Sequence, residues 1–264
     1  MFELSDKYII KKKLGKGSFG EVYVSLMRAT NKYIALKVEE KYSKTRIINE
    51  YKIYQELNRM NISGIPLVYE FLTLPRHYVM SMQLLGDCID KYEIESEREL
   101  NNFAYQIISI IQNLHSIGYI HRDIKPNNFL FDVNNQIYLI DFGLSAKYVD
   151  DEDNHFKIKK QRPFIGTLRY ASVNVHMGIE PSRRDDMISI GYMLIFLLEK
   201  NLPWMKVKYT NKKDRHEKVK NIKMMCSLDN LTQNKKIKEY LEYCSDLIYD
   251  DEPDYDYLLS LFAI

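Results

Sequence analysis

The chain has 264 residues, 45% of them hydrophobic and 28% charged, with a net charge of +2. That composition excludes a disordered or fibrous chain, and the near-neutral balance gives no global drive toward nucleic acid or a membrane surface. Three cysteines, Cys88, Cys226 and Cys244, lie far apart, so neither a disulfide framework nor a zinc site is indicated and a reducing, intracellular setting (cytoplasmic or nuclear) is expected. The opening MFELSDKYIIKKK has no apolar h-region of the kind a signal peptide needs. The longest apolar run, MISIGYMLIFLL at 187–198, is too short to span a bilayer and reads as a buried helix.

In chain order, Tyr8–Lys13 is β-rich and runs into LGKGSFGEVYVSL, and KYIALKVEE (32–40) alternates as a strand should. Ser43–Leu57 has helical spacing, with Ile47, Ile48, Tyr51, Tyr54 and Leu57 on one face. IPLVYEFL and HYVMSMQLL then predict a hairpin around Leu74-Pro75-Arg76. From residue 97 the texture changes. Glu97–Ile117 predicts a long helix that buries Phe103, Ile107, Ile110, Ile111 and Leu114 and stops at Gly118. Two short strands, NFLFD and QIYLIDF, flank the turn VNNQ. Residues 150–166 read as a surface loop, 185–199 as an apolar helix, 206–223 as a basic connector, and 252–262 as a last helix. A small β-rich part therefore precedes a larger helical one, with the boundary near Leu85-Gly86.

The stretch GKGSFGEV (15–22) has the spacing G-x-G-x-x-G-x-V. Alone it is as consistent with a tight hairpin as with a ligand loop. The residues after it are β-branched and aromatic, so it joins strand to strand and can present backbone N–H groups to phosphate. Lys37 follows in an alternating strand, where a lysine usually faces solvent unless a phosphate and a carboxylate are in reach. Glu50, in the next helix, is the carboxylate whose spacing suits a pair with Lys37, although Glu56 is near.

Within YIHRDIKPNNFL (119–130), Asp123 is a candidate base toward a hydroxyl, Lys125 can stabilise charge on a phosphoryl group, and Asn128 offers a neutral oxygen to Mg²⁺. Asp141, in IDFGL, ends an apolar strand and is the second candidate Mg²⁺ ligand; alone, it would pass for a strand cap.

Taken in order, G-x-G-x-F-G-x-V, A-L-K, a helical Glu, H-R-D-I-K-P-x-N and D-F-G resemble a eukaryotic protein kinase over essentially the whole chain. Where such kinases carry A-P-E, this chain has GTLRYASVNVHMGIEPSRRDDMISIGY (166–192), which resembles the casein kinase 1 family. GIP (64–66), LLG (84–86), LPW (202–204) and DDEPDYDYLLSLF (250–262) add to that likeness.

The resemblance implies one α+β, bilobal catalytic domain, with an N-lobe over 1–85 and a mainly helical C-lobe over 86–264. It implies ATP binding by Leu14, Gly15, Lys16, Gly17, Ser18, Phe19, Gly20, Val22, Ala35 and Lys37, with Met82 gating the adenine pocket and Leu84 and Leu85 as hinge. Asp123 would be the base, Asn128 and Asp141 the Mg²⁺ ligands, Asp186 the buried anchor of the 119–130 backbone, and Ser172-Val173-Asn174 the replacement for A-P-E. Its anion pocket would be Arg169, Lys206 and Arg215, read physically as a fork for phosphate or acidic side chains. A solvated basic loop is the plainer reading of that stretch.

The expected reaction is Ser/Thr phosphorylation of acidic or phospho-primed protein substrates by a monomer, with no membrane involved. Gln83, Ser81, Asn127 and Ile165 depart from the family pattern, and none removes a group that transfer requires. Two rivals stand beside this: a nucleotide-holding pseudokinase scaffold, and a basic nucleic-acid module built on 206–223. The second lacks interleaved aromatics.

Overall fold

Alternating and β-branched runs at the start of the chain form five strands, β1 (Tyr8–Gly17), β2 (Gly20–Met27), β3 (Lys32–Glu40), β4 (Val68–Thr73) and β5 (His77–Gln83), with α1 (Ile47–Arg59) between β3 and β4. The computed structural model describes residues 7–17, 20–41 and 46–263. The expected Ser18 and Phe19 of the glycine-rich stretch, and residues 43–45 of the expected helix, lie outside that description. The strands pair in the order β1-β2-β3-β5-β4, antiparallel throughout.

Strand alternation then sorts β3 into two faces. Ile34, Leu36 and Val38 join Tyr8 and Val79 in a buried apolar cluster, while Ala35, Lys37 and Glu39 alternate with them. Helix α1 buries Ile47, Glu50, Ile53, Tyr54 and Leu57. This corrects the expected face, since Ile48 and Tyr51 are only half-buried. A carboxylate takes an inward position because a cation on β3 meets it there, as described below.

After β5 come α2 (Glu97–Ser116), β6 (Tyr119–Ile120), β7 (Phe129–Phe131), β8 (Ile137–Leu139), β9 (Ala146–Lys147), α3 (Val173–His176), α4 (Arg183–Glu199), α5 (Lys212–Met225), α6 (Leu228–Leu231), α7 (Lys235–Asp246) and α8 (Tyr255–Ser260). Contacts divide the chain into two units: residues up to Asp87 together with Leu130–Gly143, and Cys88–Phe129 together with Leu144 onward. The 130–143 segment belongs to the first because Gly86 N–H donates to Phe131 O and Leu139 N–H to Gly64 O, at 2.7 and 2.8 Å.

In the second unit α2 starts on Ser96, whose hydroxyl accepts from the Glu99 N–H, and is followed by Gly118 at φ +81°, a left-handed value that glycine adopts freely. Helix α4 is buried almost all round and packs against α2 and α7.

The basic connector expected over 206–223 is corrected: α5 occupies most of it. Asn211 accepts the N–H groups of Lys213 and Asp214, each at 3.0 Å, which starts the helix. Only Val219 and Lys223, one turn apart, are buried along it, too sparse an apolar stripe to signal a helix in sequence. Helix α7 buries Ile237, Tyr240, Leu241 and Cys244. Among the described residues no helix is long and apolar enough to cross a membrane.

Helix α7 comes so close to α4 that a Cβ on Gly191 would lie 2.3 Å from a methyl carbon of Leu241. Leu241 is buried, so its side chain has little free space to move into. We expect Gly191→Ala to destabilise the protein by about 1–3 kcal/mol through overpacking and Leu241→Ala in the same chain to recover part of that loss, both read by urea unfolding.

Candidate active site

Residues on one face of β3 organise the first unit. The N-terminus of α1 lacks a side-chain cap of its own, because Arg46 stands at that position. Glu39 supplies the acceptor from β3, taking the N–H groups of Arg46 and Ile47 at 2.8 and 3.1 Å, where the helix dipole also favours a carboxylate. Two residues back on the same face is Lys37, and three residues into the helix is Glu50. Strand and helix spacings therefore bring them together: Lys37 Nζ donates to both Glu50 oxygens, at 2.8 and 2.7 Å.

The same ammonium donates to Asp141 Oδ1 at 3.0 Å. Asp141 follows β8 with φ +68°, an uncommon left-handed value for a residue with a side chain. Its N–H donates to the Tyr54 hydroxyl at 3.2 Å. Phe142, fully buried, meets the Tyr54 ring edge-on with centroids 4.9 Å apart. Glu50 and Tyr54, one turn apart on α1, thus hold the lysine and the 141–142 turn together. Burial pushes the Glu50 carboxyl up, with the Lys37 charge opposing it. Burial alone would lower Lys37, but the charges of Glu50 and then Asp141 override it and keep the ammonium protonated.

The remaining expected nucleotide residues of this unit fall into the sheet. The β3–β5 register sets Ala35 opposite Met82 and Lys37 opposite Met80, and Val22 of β2 lies across from Lys37. Leu84 and Leu85 follow β5, half-buried. Leu14 is half-exposed, and Lys16 pairs with Glu21 at 3.7 Å. Gly17 and Gly20 face each other at the hairpin's end. A Cβ at Gly20 would come within 2.3 Å of Val38 O, whereas one at Gly15 would meet nothing within 4 Å. Packing thus requires the glycine at 20, while the one at 15 leaves room that no described atom uses, as a phosphate cradle would.

In the second unit, β6 leads into His121 and Arg122, whose N–H groups both donate to the carboxylate of Asp186, at 2.6 and 2.9 Å. Arg122 has φ +67°. Asp186 sits in the first turn of α4 and is itself contacted by His115 Nε2 at 3.1 Å, while His115 Nδ1 lies 2.6 Å from the Tyr255 hydroxyl. Burial lowers the His115 pKa, so the ring is neutral, with Nε2–H donating to Asp186 and Nδ1 accepting from Tyr255. For Asp186 burial alone would raise the pKa, but the His115 bond and the His121 N–H outweigh it and lower it.

Held in this way, Asp123 is buried and its two oxygens are spoken for. Lys125 Nζ donates to Oδ2 at 2.5 Å, and the Thr167 hydroxyl to Oδ1 at 2.7 Å. Asn128 closes the turn begun by Pro126, its Nδ2 donating to Asp123 O at 2.9 Å, so the amide oxygen is its other polar atom. Gly166 precedes Thr167 at φ +90°, with space for a Cβ denied by Arg122 O at 2.5 Å. Only glycine fits there.

The segment after Thr167 is fixed from α5. Lys223, 5% exposed, donates to the carbonyls of Leu168 and Ala171 at 3.1 and 2.6 Å. Its ammonium also lies 5.0 and 4.8 Å from the Tyr192 and Trp204 ring centres. Trp204 Nε1 donates to Arg169 O at 2.8 Å. Ser172 donates to Asp185 Oδ1 at 2.5 Å, and Asn174 Nδ2 lies 3.4 Å from the same oxygen.

Of the expected anion residues, Arg169 lies over Phe196 at 4.9 Å and Arg215 over Tyr209 at 5.1 Å, while Lys206 is exposed two residues after Trp204. Three sets are thus brought together: Lys37 with Glu50 and Asp141; Asp123 with Lys125, Asn128 and Thr167; and Asp186 with the backbone of 121–122. No group of three or more His, Cys, Asp or Glu side chains able to hold a metal occurs among the described residues.

Sequence reasoning missed Glu39, Tyr54, His115, Thr167 and Lys223. Glu39 had a signal, being in phase with Lys37 on an alternating strand. Lys223 had none: it closes a basic run whose other lysines are exposed or half-buried. A family model described as a protein kinase domain matches residues 8–251, nearly the whole chain.

Next to this segment His176 is buried on α3, with Nδ1 3.3 Å from His216 Nε2 of α5 and the Phe164 ring beside both. Burial, chiefly, pulls its pKa from 6.5 to about 3. The unfolded chain therefore takes up a proton near pH 6.5 that the folded chain refuses. This group's stabilisation is complete above that pH and is lost as pH falls toward 3. The expected slope in urea unfolding approaches about 1.4 kcal/mol per pH unit below 6.5, and His176→Phe flattens it.

Proposed function

The chain belongs to the protein kinase domain family, and from that premise we propose that it transfers the γ-phosphoryl group of ATP to serine or threonine hydroxyls in acidic or already phosphorylated protein segments, in the manner of casein kinase 1. The observation that carries this reading is Asp123, a buried carboxylate aimed by Lys125 and Thr167. A base so constrained is oriented before any substrate arrives, which is what proton abstraction from a hydroxyl needs.

Bound MgATP supplies the transferable phosphoryl group and the metal charge that neutralises its oxygens. Lys37, kept protonated by two carboxylates, is the cation proposed for the α- and β-phosphates. The room at Gly15 suits a loop lying over them. Asp141 and the amide oxygen of Asn128 are the proposed magnesium ligands. With no cage of three acidic or histidine side chains among the described residues, magnesium would draw its other ligands from phosphate and water. Asp123 takes the hydroxyl proton as that oxygen bonds to the γ-phosphorus and the bond from phosphorus to the β–γ bridging oxygen breaks. Lys125 offsets the charge that builds on the transferring group.

The preference for serine and threonine rests on the likeness of H-R-D-I-K-P-x-N and of residues 166–192 to casein kinase 1. The preference for acidic or primed segments rests on Arg169, Lys206 and Arg215, none of which pairs with a carboxylate among the described residues. A guanidinium lying on an aromatic face keeps its edge available for bidentate binding of an anion.

Transfer from ATP to an acidic or phospho-primed peptide tests the reading. Asp123→Asn is expected to lose at least about a hundredfold in kcat, and equal rates would remove Asp123 from the role of base. Replacing Arg169 and Arg215 by alanine should raise KM for primed peptides more than for unprimed ones; a uniform loss would argue against the anion pocket.

A further inference from the structure

The strand order places β1 and β4 at opposite edges of the five-stranded sheet. Flat strands would hold those edges about 19 Å apart, at roughly 4.8 Å per step. Yet Lys7 Nζ and the Tyr8 hydroxyl, at the start of β1, both bond the carboxylate of Glu70 in β4, at 2.5 and 2.6 Å. The Tyr8 hydroxyl also lies 3.4 Å from Ser81 Oγ on β5. The sheet is therefore rolled until its edges meet, with its apolar cluster inside the roll.

Beside this latch lies a cavity of about 520 Å³, walled by Tyr8, Met27, Ile34, Tyr33 and Tyr69, with Lys32 also lining it. Its size is that of a small-molecule site, and the mouth of a rolled sheet is where such sites recur. Two features give the occupant's chemistry. Tyr33 and Tyr69 remain 59% and 48% exposed, so apolar ring surface faces water at the cavity mouth. Lys7 is neutralised by Glu70, whereas the Lys32 ammonium makes no hydrogen bond or ion pair with any described residue, its backbone alone pairing with Met27. The wall thus combines aromatic and aliphatic surface, phenolic donors and one uncompensated cation.

We propose that this cavity binds a small amphiphilic anion, a ring or short aliphatic body carrying one acidic group, with the body against the tyrosines and the acid on Lys32. The site lies wholly within the first unit and does not depend on the kinase reading. Because Tyr8 and Ile34 belong both to the cavity wall and to the apolar cluster, occupancy stabilises the sheet by binding only the folded chain.

The probe is 8-anilinonaphthalene-1-sulfonate, an aromatic body with one sulfonate, titrated by fluorescence into the whole protein with saturating MgATP present. One saturable site is expected, together with a rise in Tm. Lys32→Glu, which reverses the cation, and Ala29→Trp, which fills the mouth, should each weaken binding by about tenfold or more, the factor that corresponds to about 1.4 kcal/mol. Lys11→Glu, on β1 but outside the cavity, should leave it unchanged. Positions 29 and 32 are exposed, so unaltered melting of the variants without probe shows that the fold is intact. In the wild type, amide NMR shifts confined to residues 27–34 and 69–70 place the probe independently. Binding that MgATP displaces, that fails to saturate, or that both substitutions leave intact overturns the proposal.

Discussion

Two backbone N–H groups, those of His121 and Arg122, share one acceptor, the buried carboxylate of Asp186, and the candidate base stands directly after them in the chain. A charge buried this deeply is costly unless fully paired. Here it is satisfied by two amides and by His115, which Tyr255 in turn holds in one tautomer. This satisfaction keeps Arg122 in its left-handed conformation and fixes the direction in which Asp123 leaves the backbone. Helix α4 contributes more than a position, because its first turn, where the dipole favours an anion, is where Asp186 sits. The apolar body of the helix is the foundation, and its N-terminus does the chemical work of support.

The first unit solves a comparable problem with different parts. Glu39 caps α1 from β3, and the capped helix then delivers Glu50 to Lys37 and Tyr54 to the 141–142 turn. Each contact sets the next: the cap fixes the helix, the helix fixes the lysine, and lysine and tyrosine together fix Asp141. Removing one carboxylate would leave a buried ammonium short of a partner. The two sites therefore share a principle, that functional side chains are held by groups that are themselves buried and saturated.

Much of this was readable from residues alone, and the exceptions have physical reasons. Strands β1 to β5 declared themselves through β-rich, alternating or short apolar runs, and α2 through a regular apolar stripe closed by a glycine. The pairing of Lys37 with Glu50 was legible because fixed spacings on a strand and a helix constrain where their ends can meet, whereas the approach of Asp141 to the same ammonium, across a hundred residues, was not. Helix α5 was not, because Val219 and Lys223 are its only buried positions, and a buried lysine resembles an exposed one until its carbonyl partners are known. The inward face of α1 was misjudged in part: apolar periodicity favoured Ile48 and Tyr51, whereas the buried stripe runs through Glu50 and Ile53, the carboxylate being matched there by Lys37. Thr167 and His115 act through partners more than forty residues away in sequence, a relation that local pattern does not carry.

The Tyr255–His115–Asp186 chain of hydrogen bonds joins three helices, α8, α2 and α4, drawn from points spread across the second unit's sequence. A ribosome makes the stretch 119–130 well before Asp186 and Tyr255, which follow it by more than fifty residues. The loop that carries Asp123 therefore has no complete set of partners until α8 is out. The geometry around Asp123 is thus set by residues translated long after it, and an early-made segment waits on late-made ones for its shape.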